Sequence, residues 1–189
     1  MKIVSVLLIF FFYSSSVYSQ NKTAVFAGGC FWCMEEAFEA VDGVDKVVSG
    51  YTGGTTKNPN YEQVTNQNTG HYEAVLISYN PQKISYAQLL DIFWKNVDPY
   101  DDEGQFCDKG PSYLSAIFYS NDEEKLLIED SVKRLTQINT KLIATKFIKL
   151  DIFYLAEGYH QDYYKRNPLK YNYYKTSCGR VKRLKEVWK

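Results

Sequence analysis

The chain holds few of the residues that metal and nucleotide chemistry use. Among 189 residues there are two histidines, His71 and His160, and four cysteines, Cys30, Cys33, Cys107 and Cys178. Only Cys30 and Cys33 form a Cys-x-x-Cys pair and the other two stand alone, so paired ligands at zinc-finger spacing are missing and no metal site is expected. No glycine-rich nucleotide fingerprint follows a strand pattern, which argues against a dinucleotide-binding sheet. Net charge is absent too: 22 Lys and Arg balance 22 Asp and Glu. The overall charge therefore favours neither nucleic acid nor an anionic membrane, and the basic run Arg180 to Lys185 reads as a solvated terminal helix. Internal repeats, low-complexity stretches and Pro/Gly-rich linkers are also missing after Ser19.

What is present suits one domain. The chain is 45% hydrophobic and 16% aromatic, enough for a single sizeable core, expected to occupy residues 20–189. The first 19 residues differ from the rest. Lys2 is followed by the almost wholly apolar run Ile3 to Tyr13 and then by Ser14-Ser15-Ser16-Val17-Tyr18-Ser19, the pattern of a secretory signal peptide cut after Ser19. The apolar run is too short for a transmembrane helix, although an uncleaved N-terminal anchor is the alternative. The expectation is an exported chain, periplasmic or extracellular, in which disulfides can persist.

Strand and helix patterns interleave. Thr23 to Phe26, Val44 to Gly50, Tyr72 to Tyr79, Leu114 to Tyr119 and Thr145 to Tyr154 read as strands. Met34, Ala37, Phe38 and Val41 recur at helical spacing. Ser85 with Gln88 makes a capping-box signature ahead of Tyr86, Leu89, Leu90, Phe93 and Val97, and Asn121 or Asp122 caps a third helix reaching Ile138. After Glu157 a helix is expected as far as Asn167-Pro168, followed by an aromatic tail to Cys178. Polar loops at residues 55–70 and 98–112 are long enough to belong to a site. A two-layer α+β domain follows from this order.

Cys30 lies in Gly28-Gly29-Cys30-Phe31-Trp32-Cys33, between a strand and a helix. At a helix N-terminus the unpaired N–H groups and the dipole favour an anion, so a lowered thiol pKa and a nucleophilic thiolate are expected, beside the apolar rings of Phe31 and Trp32. A structural disulfide or an inert core thiol is the plain alternative. Glu73, opening an apolar strand, suits a carboxyl of raised pKa, and Tyr51 and Tyr113 could donate phenolic hydrogen bonds from loops. A surface charge and ordinary packing are the corresponding plain readings, and spacing alone does not select these residues.

Five segments in order do select them: Gly29-Cys30-Phe31-Trp32, Gly50-Tyr51-Thr52-Gly53-Gly54, Gly70-His71-Tyr72-Glu73-Ala74-Val75, Asp108-Lys109-Gly110-Pro111-Ser112-Tyr113, and Ala156-Glu157-Gly158-Tyr159-His160-Gln161-Asp162-Tyr163-Tyr164. Together they resemble the A-type peptide methionine sulfoxide reductases, from about Thr23 to Trp188. The resemblance implies a two-layer α/β sandwich with a ferredoxin-like core, a mixed sheet and a long C-terminal tail. It implies that Cys30 attacks the sulfur of methionine S-sulfoxide and becomes a sulfenic acid, which a second thiol converts to a disulfide that a thioredoxin-like reductant reopens. Phe31 and Trp32 would hold the substrate methyl group and Glu73 would protonate the oxygen. Tyr51 and Tyr113 would hydrogen-bond that oxygen, and Asp108 would organise the loop beneath, with no cofactor.

The family's habit points to Cys178 as the resolving thiol, with Cys33 the alternative and Cys107 expected to be packing. Where many relatives have an arginine this chain has Leu114, so an interaction that helps fix the site's acids is either absent or replaced. Two other classes remain open on the residues alone, a general thiol–disulfide oxidoreductase built on Cys30 and Cys33 and an exported binding domain with two permanent bridges.

Overall fold

The computed structural model describes residues 20–66 and 68–189, and the expected leader lies outside them. Strand β1 (Lys22–Gly28) runs into helix α1 (Phe31–Glu39), then β2 (Val44–Thr52), the short α2 (Tyr61–Thr65), β3 (Tyr72–Tyr79) and α3 (Tyr86–Lys95). A small hairpin of β4 (Gly104–Gln105) and β5 (Asp108–Lys109) and a 3-10 turn at Pro111–Tyr113 precede β6 (Ser115–Tyr119) and α4 (Asp122–Ile138). The main sheet has the order β6-β1-β3-β2 at its centre, all neighbours antiparallel. This is the ferredoxin-like arrangement, with α1 and α3 as its two crossover helices.

Both faces of β1 are buried, which explains its unbroken apolar run. Ala24 and Phe26 point into the larger core, where Phe26 meets Phe38 of α1 and Phe93 of α3, while Val25 and Ala27 point to a smaller cluster behind the sheet. Helix α4 joins the larger core through Ile128 and Leu135, and Ser131 accepts a hydrogen bond from the Trp94 indole at 3.1 Å. The helix starts are those the side chains specify. Ser85 and Gln88 close a reciprocal capping box, and Asn121 caps α4 by accepting from the Glu124 N–H.

Two expectations fail. The segment Thr145 to Tyr154 is not one strand: β7 (Lys146–Lys149) pairs parallel to β6 at one edge of the sheet and β8 (Tyr154–Leu155) pairs with β2 at the other. Between them the chain crosses the rear face, where Leu150 and Phe153, together with Ile148 of β7, cover the smaller cluster. Their apolar spacing serves that cover as well as it would a strand. The long C-terminal tail is also helical where the sequence reads only as an aromatic run. Turns at residues 157–162 lead to α5 (Tyr163–Arg166), α6 (Pro168–Ser177) with Pro168 in its first turn, and α7 (Arg180–Val187), the last two separated by Gly179 at φ +72°.

Phe93 lies at 0% exposure in the centre of this core. Phe93→Ala should cost about 3–5 kcal/mol, read as a lower urea midpoint with an unchanged slope. A variant as stable as the parent would show that the core does not depend on this contact.

Candidate active site

The end of β1 sets the site. Gly29 has φ +76°, and a Cβ there would lie 2.6 Å from the Gln105 Cβ, so only glycine lets the strand turn sharply into α1. Cys30 then takes the N-cap position with non-helical angles of −53° and 118°. Its carbonyl accepts the Cys33 and Met34 N–H groups, while its side chain caps nothing, leaving the sulfur directed into a cavity of about 50 Å³.

Six of the expected residues meet around that cavity: Cys30 at the N-cap of α1, Phe31 and Trp32 of α1, Glu73 of β3, Asp108 of β5 and Tyr113 of the 3-10 turn. Glu73 is 2% exposed and accepts the Phe31 N–H at 3.1 Å. Burial pushes its carboxyl up to about 8, helped by the charge of Asp108 and opposed by the bonds from Phe31 and Tyr113. At neutral pH the group holds a proton and can donate it. Trp32 stacks on Tyr163 with ring centroids 3.8 Å apart, and its indole N–H donates to His160 Nδ1 at 3.2 Å. Burial lowers the His160 pKa, keeping the imidazole neutral.

Tyr51 is directed elsewhere. It pairs across the sheet with Glu73, but its hydroxyl donates to Glu157 Oε2 at 2.8 Å and its ring packs behind Phe31. The phenol that lines the cavity is Tyr61, at the first position of α2, whose backbone N–H is held by the other Glu157 oxygen at 2.8 Å. Spacing alone did not reveal this residue. The one usable signal was the Asn60-x-x-Gln63 capping box, which starts a helix at Tyr61 inside what reads as a polar loop.

The thiols also differ from expectation. Cys107 is not apolar packing, for it forms a disulfide with Cys178 and is exposed, whereas Cys30 and Cys33 are free and buried. Helix α6 ends beside the β4–β5 hairpin with the two Cα atoms 4.9 Å apart, so Cys178 is bonded to Cys107 and not poised on Cys30. Nor is the Cys30 pKa lowered. Burial raises it well above the usual thiol value, and the Cys33 sulfur and the charges of Glu73 and Asp108 add to this. Cys33 is drawn down to about 6, first by the hydrogen bond from Cys30, then by Arg180, Tyr171 and Lys175, against the effect of burial. Arg180 is 4% exposed and donates to the Asn96 carbonyl at 2.6 Å. Its charge also favours the ionised Asp108, so a cation from α7 serves an acid of the site while Leu114 is apolar.

Comparison with known proteins agrees with this geometry. Residues 22–189 match the family model of peptide methionine sulfoxide reductase. The chain is 50% identical over 169 residues to peptide methionine sulfoxide reductase MsrA 2 of Caulobacter vibrioides, covering 89% of this chain and 86% of that protein. It is also 50% identical over 171 residues to the MsrA of Bacillus subtilis, covering 89% of this chain and 97% of that one. Among solved structures, reduced Mxr1 from Saccharomyces cerevisiae superposes with a TM-score of 0.75 at 30% identity, over 80% of this chain and 88% of that one. Methionine sulfoxide reductase A of Corynebacterium diphtheriae superposes with a TM-score of 0.72 at 28% identity, over 79% and 76%. With a nucleophile, an acid and apolar rings converging on one small cavity, and with these relatives spanning nearly all of its described length, the chain belongs to the peptide methionine sulfoxide reductases.

Proposed function

We propose that the protein reduces methionine S-sulfoxide in proteins, peptides or the free amino acid, with Cys30 as nucleophile and Cys33 as the first resolving thiol. The observation that carries this is the meeting of the Cys30 sulfur and the protonated Glu73 in one cavity. Phe31 and Trp32 receive the methyl group, and Tyr61 and Tyr113 donate to the sulfoxide oxygen, neutral donors in a buried site where such bonds are strongest. Glu73 protonates that oxygen as the Cys30 sulfur attacks. The oxygen passes to Cys30 as a sulfenic acid and methionine leaves.

Cys33 then displaces water, forming a Cys30–Cys33 disulfide. Its lowered pKa supplies a thiolate, and the non-helical angles of Cys30 free that sulfur from the regular geometry of the turn. Both sulfurs are buried, whereas Cys107 is exposed. In this reading the Cys107 and Cys178 thiols reduce the inner pair, become the observed disulfide and are themselves reduced by a thioredoxin-like protein. Mxr1, the yeast relative, has been crystallised in complex with Trx2. The leader pattern favours an exported enzyme, periplasmic or extracellular, served by a reductant in that compartment.

Cys30→Ser should abolish reduction of a peptide carrying the S epimer, measured by mass spectrometry with dithiothreitol as reductant. Cys33→Ser should complete one turnover and leave a Cys30 sulfenic acid that dimedone labels. If instead Cys178→Ser accumulates the sulfenic acid and Cys33→Ser does not, Cys178 is the resolving thiol.

Because Glu73 acts in its protonated form, kcat should fall as pH rises through about 8, the value at which it loses its proton. Glu73→Gln should lower kcat by about 10²–10⁴-fold and remove that alkaline limb. A limb retained in the variant would assign the acid elsewhere.

The two tyrosines separate cleanly. Tyr61→Phe should lower kcat by about tenfold or more while Tyr51→Phe changes it little, since the Tyr51 hydroxyl is committed to Glu157. Equal losses in both would return Tyr51 to the oxygen site.

A further inference from the structure

His160 stands behind the cavity and touches three of its walls without a task in the reaction above. It is 2% exposed, and its ring centroid lies 4.9 Å from that of Phe31, 5.7 Å from Trp32 and 4.3 Å from Tyr61. Those three side chains line the cavity, whereas His160 does not. The turn that carries it is tied down on two sides. Gln161 exchanges hydrogen bonds with the Ser49 backbone of β2 at 3.0 and 2.9 Å, and the Asp162 N–H donates to Glu35 of α1 at 3.2 Å.

An indole N–H can only donate, so the 3.2 Å contact from Trp32 makes Nδ1 of His160 the lone-pair nitrogen and leaves the proton on Nε2. Burial keeps the ring neutral against the pull of the Glu157 charge. Nε2 has no hydrogen-bond partner among the described residues, for Glu157 Oε2 lies 4.0 Å away and is taken by the Tyr51 hydroxyl. A buried donor left unpaired is costly, and an apolar side chain of similar size would avoid that cost. The polar service this ring performs is to accept from Trp32.

Trp32 has use for such an acceptor. Tyr163 stacks on its face at 3.8 Å with the planes 9° apart, and Tyr174 meets it edge-on. Stacking sets the plane of an indole but leaves it free to turn and slide within that plane, and a directional bond from the N–H removes the freedom. We propose that His160 is a positioning residue, its Nδ1 lone pair fixing the rotation of the Trp32 indole and with it the wall against which the substrate methyl group rests. Its ring has a separate effect, packing against Tyr61, which faces the sulfoxide oxygen. The inference rests on the proposed reaction, in which Trp32 receives the methyl group.

Two substitutions and one atom exchange separate the lone pair from the ring. His160→Asn keeps an acceptor, the amide oxygen, near the place of Nδ1, while His160→Leu keeps bulk without one. Replacing Trp32 by benzothienylalanine keeps both rings and puts sulfur where the indole N–H was. On a peptide carrying the S epimer, with dithiothreitol as reductant, His160→Leu and the benzothienyl chain should raise KM about three- to tenfold, and His160→Asn should stay within about twofold of the parent. The loss in kcat should be alike in His160→Asn and His160→Leu, where Tyr61 loses its neighbour, and small in the benzothienyl chain. By NMR of the substrate-free chain, with the Trp32 indole signal assigned by its loss in Trp32→Phe, that N–H should exchange with solvent slowly in the parent and in His160→Asn and about tenfold faster or more in His160→Leu.

A KM raised as far in His160→Asn as in His160→Leu would mean that the bulk of the ring and not its lone pair holds the pocket, and would overturn the inference. An unchanged KM in the benzothienyl chain would overturn it as well, and that chain reads the bond even if His160→Leu folds poorly. Slow exchange of the Trp32 N–H, released in His160→Leu, in a parent that reduces no sulfoxide would sink the proposed reaction and leave the positioning of Trp32 by His160 standing.

Discussion

The bond from the Phe31 N–H to the Glu73 carboxyl ties the first turn of α1 to the central strand β3, and the chemistry of the site grows out of it. It brings an acid and the Cys30 sulfur to one small cavity, in a place where charge is costly. A helix terminus contributes about 0.3–1 kcal/mol toward an anion at an exposed position. Burial is the largest influence on Glu73 and raises it to about 8 despite the bond from the Phe31 N–H, so desolvation outweighs the helix terminus here. The same balance governs Cys30, which keeps its proton in the resting protein despite its N-cap position. A site of this kind is filled with neutral donors and moves protons only as bonds change.

The C-terminal segment completes what the ferredoxin-like core begins. Tyr163 covers the face of Trp32, Tyr171 and Arg180 lie against Cys33, and Tyr174 donates to Asp108 on the wall of the Cys30 cavity. Ion pairs from Lys165 to Glu39 and from Lys175 to Glu36 hold α5 and α6 against α1, and the Cys107–Cys178 bond closes the far end. Four sulfurs are thereby arranged in two layers, a buried pair next to the substrate cavity and a more exposed pair at the end of α6. Arg180 sits between the layers and favours the anionic forms of Cys33 and Asp108, taking up electrostatic work that no residue at position 114 performs.

Much of the fold was legible before the structure because local chemistry specifies it. Ser85 with Gln88 and Asn121 before Asp122 start helices where their side chains satisfy free N–H groups, and the Tyr72–Tyr79 strand appears with the bounds its apolar run suggests. Residues 145–154 misled for a physical reason. Apolar residues spaced to cover the back of a sheet look like an alternating strand, and only the position of that back face shows that the chain crosses it.

The sequence by itself determined an α+β fold, a glycine turn ahead of a cysteine at a helix start, and a set of motifs that places Phe31, Trp32, Glu73, Asp108 and Tyr113 with Cys30. Those are properties of neighbouring residues and of ordered short segments, and they survive without coordinates. Tertiary structure alone decided that Tyr61 rather than Tyr51 faces the cavity, that Cys107 is bonded to Cys178, and that Cys33 is the more acidic thiol of its pair. Each depends on partners 71 or more residues away in the chain for the disulfide, 106 for the Tyr51 hydroxyl, and on Arg180 for Cys33. Burial and distant charge are created only when the chain closes on itself, so no local pattern can report them.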